Sequence, residues 1–273
     1  MLNMAKVTKK AIYAKYGIEF KRVNSSEYIL APFYGWIPPV LINGNDKLGK
    51  TVWTFSILPT NKTFTVLVNG EKLEVMGSCP CHCDGCYATK GNYRYSSTIE
   101  SLAKKTFLAE IYLEWLERAI MAQIEADKIH ILRIHAAGDF FSLEYIEMWK
   151  RICVAFPCVV FWTYTKFPPA EKAFDNIGNC NMVPSVIKGH GFNFGHIDYI
   201  MEVYQDLKAK GEQVYICHCG IDKNQHCSDC KGCSANKYVL FVEHSTDYKA
   251  EKDPLYPAIV QLIENQESMK TTF

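Results

Sequence analysis

Twelve cysteines constrain this 273-residue chain more than any other feature, and nine of them fall in two short clusters. Four lie between Cys79 and Cys86, and five between Cys217 and Cys233. A disulfide scaffold would need an oxidising compartment. Residues 1–10 are basic but lead into no apolar stretch of the kind that directs secretion, so a cytoplasmic location is expected. No run of about eighteen apolar residues occurs, which predicts no membrane partner. Clustered cysteines in such a chain point to metal ligation. Cys153, Cys158 and Cys180 stand alone in apolar surroundings and read as buried, inert thiols.

Lys and Arg together number 30 against 29 Asp and Glu, so no global basic field attracts nucleic acid and only a local patch could. With 48% hydrophobic and 22% charged residues, the chain is expected to fold rather than remain disordered. Up to residue 77 it reads as irregular and β-rich. Trp53–Leu58 is strand-like, and the runs 63–68 and 71–75 meet across Asn69-Gly70, a strong hairpin signal. Helix and strand alternate from there. Ser97-Thr98-Ile99-Glu100 reads as a capping box opening a helix to about residue 127, and Ser142 as the cap of another. Strands are expected at 129–136, 159–165, 182–187, 213–217 and 237–243. A helix with Ile200, Val203, Tyr204 and Leu207 on its apolar stripe should end at Gly211.

Alternation of this kind predicts an α/β fold, here a partial (β/α) barrel with parallel strands over 78–216. An N-terminal β-rich extension (1–77) and a C-terminal cysteine-rich metal-binding segment (217–273) flank it. Chemistry gathers at the carboxyl ends of parallel strands. Cys79, Gly138-Asp139, Thr165-Lys166 and Cys217 all fall at or just past expected strand ends, which suggests one composite site.

Cys79, Cys83 and Cys86 form a C-x3-C-x2-C spacing, with Cys81 and His82 between them. Three such thiolates can hold three irons of a [4Fe–4S] cluster and leave the fourth open to a small molecule. A structural zinc using Cys81 or His82 as fourth ligand is the bland alternative. Cys227, Cys230 and Cys233 form C-x2-C-x2-C, which Cys217 or Cys219 could complete as a closed site for a second cluster or for zinc. His218 and His226 read as neighbours of that site. On the strand ending in Ala136-Ala137-Gly138-Asp139, alternation would turn Arg133 and His135 to one polar cavity. The bland reading is a salt bridge and a satisfied core histidine.

The first cysteine spacing resembles the cluster motif of radical S-adenosylmethionine (SAM) enzymes, departing from it at Cys81 and at Gly85. Gly138-Asp139 resembles the element that holds the SAM amino group there. Asn45–Lys50, Thr54–Pro59, Cys86-Tyr87-Ala88, Arg133–Phe140, Phe161–Thr165 and the C-terminal cysteines followed by His244 are similar to a phage family catalogued as gene product eighty-eight. That resemblance covers roughly residues 43–244 and implies a phage-type, cysteine-rich protein without implying a reaction.

The expected function is an iron–sulfur enzyme with one or two [4Fe–4S] clusters that cleaves SAM reductively. Gly138, Asp139 and Thr165 would bind SAM, Arg133 and His135 would act in the cavity, and an external electron donor is required. The alternative is a non-catalytic, zinc- or iron–sulfur-stabilised redox or nucleic-acid-binding protein. Its 16 tyrosines, 15 phenylalanines and 5 tryptophans could stack on bases. No P-loop, G-x-S-x-G elbow or H-E-x-x-H helix is present, so no substrate is named.

Overall fold

A computed structural model describes residues 7–44, 48–68, 70–80, 83, 86–218, 226–230, 232–243 and 249–268. Helix α1 (Lys9–Lys15) opens the chain, capped by the Thr8 hydroxyl, which accepts from Ala11 N. A three-stranded meander follows, β1 (Phe20–Val23), β2 (Ser26–Ala31) and β3 (Gly35–Ile37). Then come β4 (Ile42–Asn43) and β5 (Val52–Thr54). The hairpin is present as β6 (Thr63–Val68) and β7 (Glu71–Met76), with Gly70 at φ +86° in its turn.

The long helix expected over 97–127 is two, α2 (Ser96–Ile111) and α3 (Leu113–Asp127), broken at Tyr112. Because α2 starts at Ser96, the expected capping box lies inside the helix and makes no cap. Next come β8 (Ile131–Arg133), α4 (Leu143–Ala155), β9 (Val160–Thr165), α5 (Pro168–Ala173) and β10 (Cys180–Pro184). Ser142 caps α4 as expected, its Oγ accepting from Tyr145 N at 3.1 Å. The small hairpin β11 (Val186–Ile187) and β12 (Gly191–Phe192) precedes β13 (Phe194–Gly195) and α6 (Ile197–Ala209). Gly211, at φ +76°, lies just past the end of α6. The remainder is β14 (Val214–Ile216), α7 (Cys227–Cys230), α8 (Gly232–Ala235), β15 (Tyr238–Val242) and α9 (Tyr256–Ser268).

The result is a mixed α/β architecture with several sheets. The central sheet runs β10-β9-β8-β5-β4; the first four are parallel neighbours and β4 is antiparallel. The β5 line continues past its last regular residue: Phe55 N donates to Arg133 O, and Ile57 N to Ala137 O. β4 and β5, which precede residue 77, are therefore strands of the core sheet. A second sheet, β13-β15-β14, is also parallel. Asn193 links the two sheets, donating its N–H to Ser185 O and accepting from Phe241 N. Among the described residues the sheets do not close into a barrel. No helix of the described residues is long and apolar enough to cross a membrane.

The central sheet buries both faces, as parallel sheets do. Leu132 and Phe161 belong to the large core with α3 and α4. Val52 and Trp162 face the other way, packed with Leu48, Cys227 and Cys233. Gln123 on α3, 2% exposed, helps to tie in the N-terminal segment: it accepts from Leu41 N and donates to Leu41 O. Leucine at 123 fills the same space but orphans two buried backbone groups. Gln123→Leu should cost about 2–4 kcal/mol in urea unfolding; an unchanged midpoint and slope would show that water replaces the amide.

Candidate functional site

The first locus lies at the carboxyl ends of β5, β8 and β9. The chain leaving β8 turns at Gly138, whose φ of +86° favours glycine. A Cβ there would stand 2.5 Å from Ile57 Cγ1 and 2.7 Å from Ser78 Oγ. Ser78 joins the loop to the first cysteine segment, donating its hydroxyl to Leu58 O at 2.8 Å and accepting from Asp139 N at 3.0 Å. Cys79 follows directly, its N–H held by Thr60 O. Cys86 N donates to Cys83 O at 3.2 Å, closing a turn.

Asp139 is fully buried. Its Oδ1 accepts from Thr165 Oγ at 2.6 Å and from Phe140 N at 2.8 Å, and its Oδ2 accepts from Lys166 N at 2.8 Å. Lys166 Nζ stands 3.9 Å from Oδ2. Burial pushes the carboxyl above its ordinary range, against the Lys166 charge and the three donors. Thr165 also accepts from Phe167 N, so its O–H donor and one of its two acceptor sites are taken. Burial likewise pushes the Cys79 thiol up to about 12; the Lys166 ammonium opposes that rise and the Asp139 charge adds to it. Cys79, Gly138, Asp139, Thr165 and Lys166 thus share one neighbourhood.

Arg133 and His135 do not. The Arg133 guanidinium lies 5.1 Å from the Tyr164 ring centre. His135 has φ +58°, which breaks strand alternation. Its ring sits among Phe140, Tyr145 and Trp149, with Nε2 2.8 Å from the Tyr145 hydroxyl. Those rings belong to the helix-side core. The two side chains have separate surroundings among the described residues, and the histidine takes a core position in which Nε2 is partnered and the buried Nδ1 is not.

The second locus is a cavity of about 290 Å³ between the central sheet and the C-terminal segment. Cys217, Cys227, Cys230 and Cys233 line it, with Trp162 and Cys158. Cys158 was expected to be buried and is instead exposed. Cys153 and Cys180 are buried as expected, and contact between their sulfurs, with burial, raises the Cys153 thiol. Tyr215 places its hydroxyl 3.1 Å from Cys230 Sγ. Gly232 lets α8 approach that ring, since a Cβ would meet Tyr215 Cε1 at 2.2 Å. Asn181 on β10 donates to Cys233 O and Asn236 O, seating α8 on the sheet. This cavity opens at the start of β8 and β9, beside Ile131 and Val160. The first locus is at the far end of those strands, where Thr165 stands about 10–17 Å along β9 from Trp162 and Val160 of the cavity wall. The expected single composite site is two loci.

None of the described cysteines is in a disulfide. Among the described residues no three His, Cys, Asp or Glu side chains converge as a metal-binding group. Cys81, His82, Gly85, Cys219 and His244 lie outside the described residues.

The sequence pattern of the family described as Gene product 88 matches residues 39–188, more than half of the chain. The chain belongs to the gene product 88 family. It is similar to the Gene 88 protein of Mycobacterium phage D29, 30% identical over 80 residues. That stretch is 25% of this chain and 33% of the phage protein, so the match spans about a third of that relative. No solved structure matches. The gene product 88 region contains the whole first locus and ends before Cys217.

Lys166 at the gene product 88 locus, and Lys105 beside Phe55, escaped sequence reasoning. Lys166 was visible only as the neighbour of Thr165. Lys105 on α2 is 5% exposed, with Nζ 5.7 Å from the Phe55 ring, and burial pulls its amine down to about 8. A lysine on the buried side of a helix carries no periodic signal.

Two outcomes test this geometry. Gly138→Ala should lose about 2–4 kcal/mol of stability, from backbone strain plus the clash with Ile57 and Ser78. The second concerns pH. Burial, with the Arg133 and Lys166 charges, pushes the His135 imidazole down from 6.5 to about 3. The unfolded chain takes up a proton below about 6.5 that the folded chain refuses, so stability present above that pH is lost as pH falls toward 3. In His135→Asn, where asparagine tolerates the positive φ, the urea-derived slope over that window should be shallower by about 1.4 kcal/mol per pH unit. An unchanged slope would mean that the imidazole is protonated in the folded protein.

Proposed function

We propose that this gene product 88 protein is an iron–sulfur enzyme of the radical SAM type, with Cys79, Cys83 and Cys86 holding the reactive [4Fe–4S] cluster. One observation carries the reading: the Ser78 hydroxyl ties the residue before Cys79 to the Gly138-Asp139 turn, at the carboxyl ends of parallel strands. The donor set fits, being three cysteines within eight residues whose last two are drawn together by the Cys86–Cys83 backbone turn. When bound, such a cluster with one open iron supplies reductive cleavage of SAM. In this reading the two parallel sheets are arcs of a partial (β/α) barrel, and the protein acts in the cytoplasm of a host cell.

The roles of the chain's own residues follow from the geometry. Gly138 allows close backbone approach. Asp139 positions the loop, because three of its roughly four acceptor sites are already taken within the protein. Lys166 provides a cation beside Cys79 for a carboxylate group. Thr165 orients Asp139 and does not meet a ligand directly. Arg133 and His135 stand outside this locus. An external one-electron donor is needed, and nucleic acid remains one candidate among macromolecular substrates.

The internal satisfaction of Asp139 also favours a second reading, in which the metal serves a non-catalytic redox or nucleic-acid-binding protein. Anaerobic reconstitution decides between them. The first reading expects about four irons dependent on Cys83, and dithionite-dependent release of 5′-deoxyadenosine. Lys166→Met should weaken SAM binding by about tenfold, or 1.4 kcal/mol, and leave the iron content unchanged. Colourless protein holding only zinc at Cys79–Cys86, or iron-loaded protein that neither binds nor cleaves SAM, would overturn it.

A further inference from the structure

We infer that the second cavity is the seat of a closed iron–sulfur cluster, held by Cys217, Cys227, Cys230 and Cys233, rather than of a single zinc ion. Both guests suit a four-thiol donor set, so size and spacing decide. A zinc ion needs all its sulfurs about 2.3 Å from one point, hence within roughly 4 Å of one another. The thiols here come from separated places. Cys217 follows β14, Cys227 and Cys230 bracket α7, and Cys233 sits on α8. All four line one cavity, yet among the described residues no three of them converge on a single point as a lone ion requires.

The frame opposes collapse onto a small ion. Asn181 fixes the backbone of α8 at Cys233 O and Asn236 O. The Tyr215 ring is wedged against Gly232 and touches Cys230. The space between is about 290 Å³, where one water occupies about 30 Å³. A single ion would leave most of it empty, whereas a cubane with its sulfurs would occupy far more.

The walls suit a buried anionic guest. Trp162 and Val160 provide an apolar lining that lowers the local dielectric. Behind it the Arg133 guanidinium lies on the Tyr164 ring, and Tyr164 packs with Cys217 and Cys233. A cluster with four thiolate ligands carries net negative charge, which that half-buried cation offsets. Cys158, exposed on the loop before β9, lines the same cavity and marks its mouth.

This inference stands apart from the reading of the first locus, and its test separates them. The full chain carrying Cys79→Ser, Cys83→Ser and Cys86→Ser is reconstituted anaerobically with ferrous iron and sulfide. About four irons and four acid-labile sulfides per chain are expected, with an EPR signal on dithionite reduction. Adding Cys230→Ser should remove most of that iron, whereas adding Cys153→Ser should leave it. One zinc per chain without labile sulfide, or iron insensitive to Cys230→Ser, overturns the proposal. If the triple variant does not fold, Cys230→Ser in the otherwise unchanged chain must lower iron and sulfide by about four each; no change overturns it equally. Four irons in the triple variant, together with wild-type protein that never cleaves SAM, would uphold this inference and sink the earlier reading.

Discussion

The buried carboxylate of Asp139 organises the first locus. Placing a carboxylate at zero exposure costs several kcal/mol unless donors surround it. Here the Thr165 hydroxyl and the N–H groups of Phe140 and Lys166 do so, and the Lys166 ammonium stands nearby. Burial still outweighs them, as the raised carboxyl shows. The consequence is mechanical. One side chain joins the ends of β8 and β9, while the backbone of the same residue reaches Ser78 and through it Leu58, beyond β5. Three strand ends and the start of a cysteine loop are fixed by one residue, and Cys79 inherits its position from that knot.

The two faces of the central sheet have different tasks. The face with Leu132 and Phe161 is closed by α3 and α4 and joins the main core. The face with Val52 and Trp162 is covered by the cysteine-bearing C-terminal segment. Arg133 keeps strand geometry and stays with the second face, over Tyr164. His135, two residues later, belongs to the first because a positive φ at that position rotates its side chain into the aromatic cluster.

That rotation shows where sequence reading stopped. Elements with a period or a cap were legible: the parallel strands, the 63–76 hairpin, the Ser142 cap and the stop at Gly211. So was the clustering of Cys79, Gly138, Asp139 and Thr165, because strand ends converge in any parallel sheet. What depended on non-local contact was not. The membership of β5 in the core sheet is set by its pairing with β8, eighty residues later. The break at Tyr112 has no glycine or proline to announce it. Cys158 looked isolated because its companions are about sixty residues or more away in sequence and meet it only across the cavity.

The covering of the second sheet face ties folding to whatever the cysteines hold. Leu48, Val52 and Trp162 are each below 5% exposed, and among the described residues Cys227 and Cys233 of the C-terminal segment pack on that side. An apolar sheet face of this size cannot be left to water. The segment itself is short: α7 and α8 are single turns, too short to be stable alone. Its order must come from contacts such as Asn181 and Tyr215, and from any group bound among its thiols. Binding energy spent on ordering that segment is then folding energy for the sheet beneath it. On this view the second cavity supports the first locus without touching it, since the strands whose starts it covers are those whose far ends carry Gly138, Asp139 and Thr165.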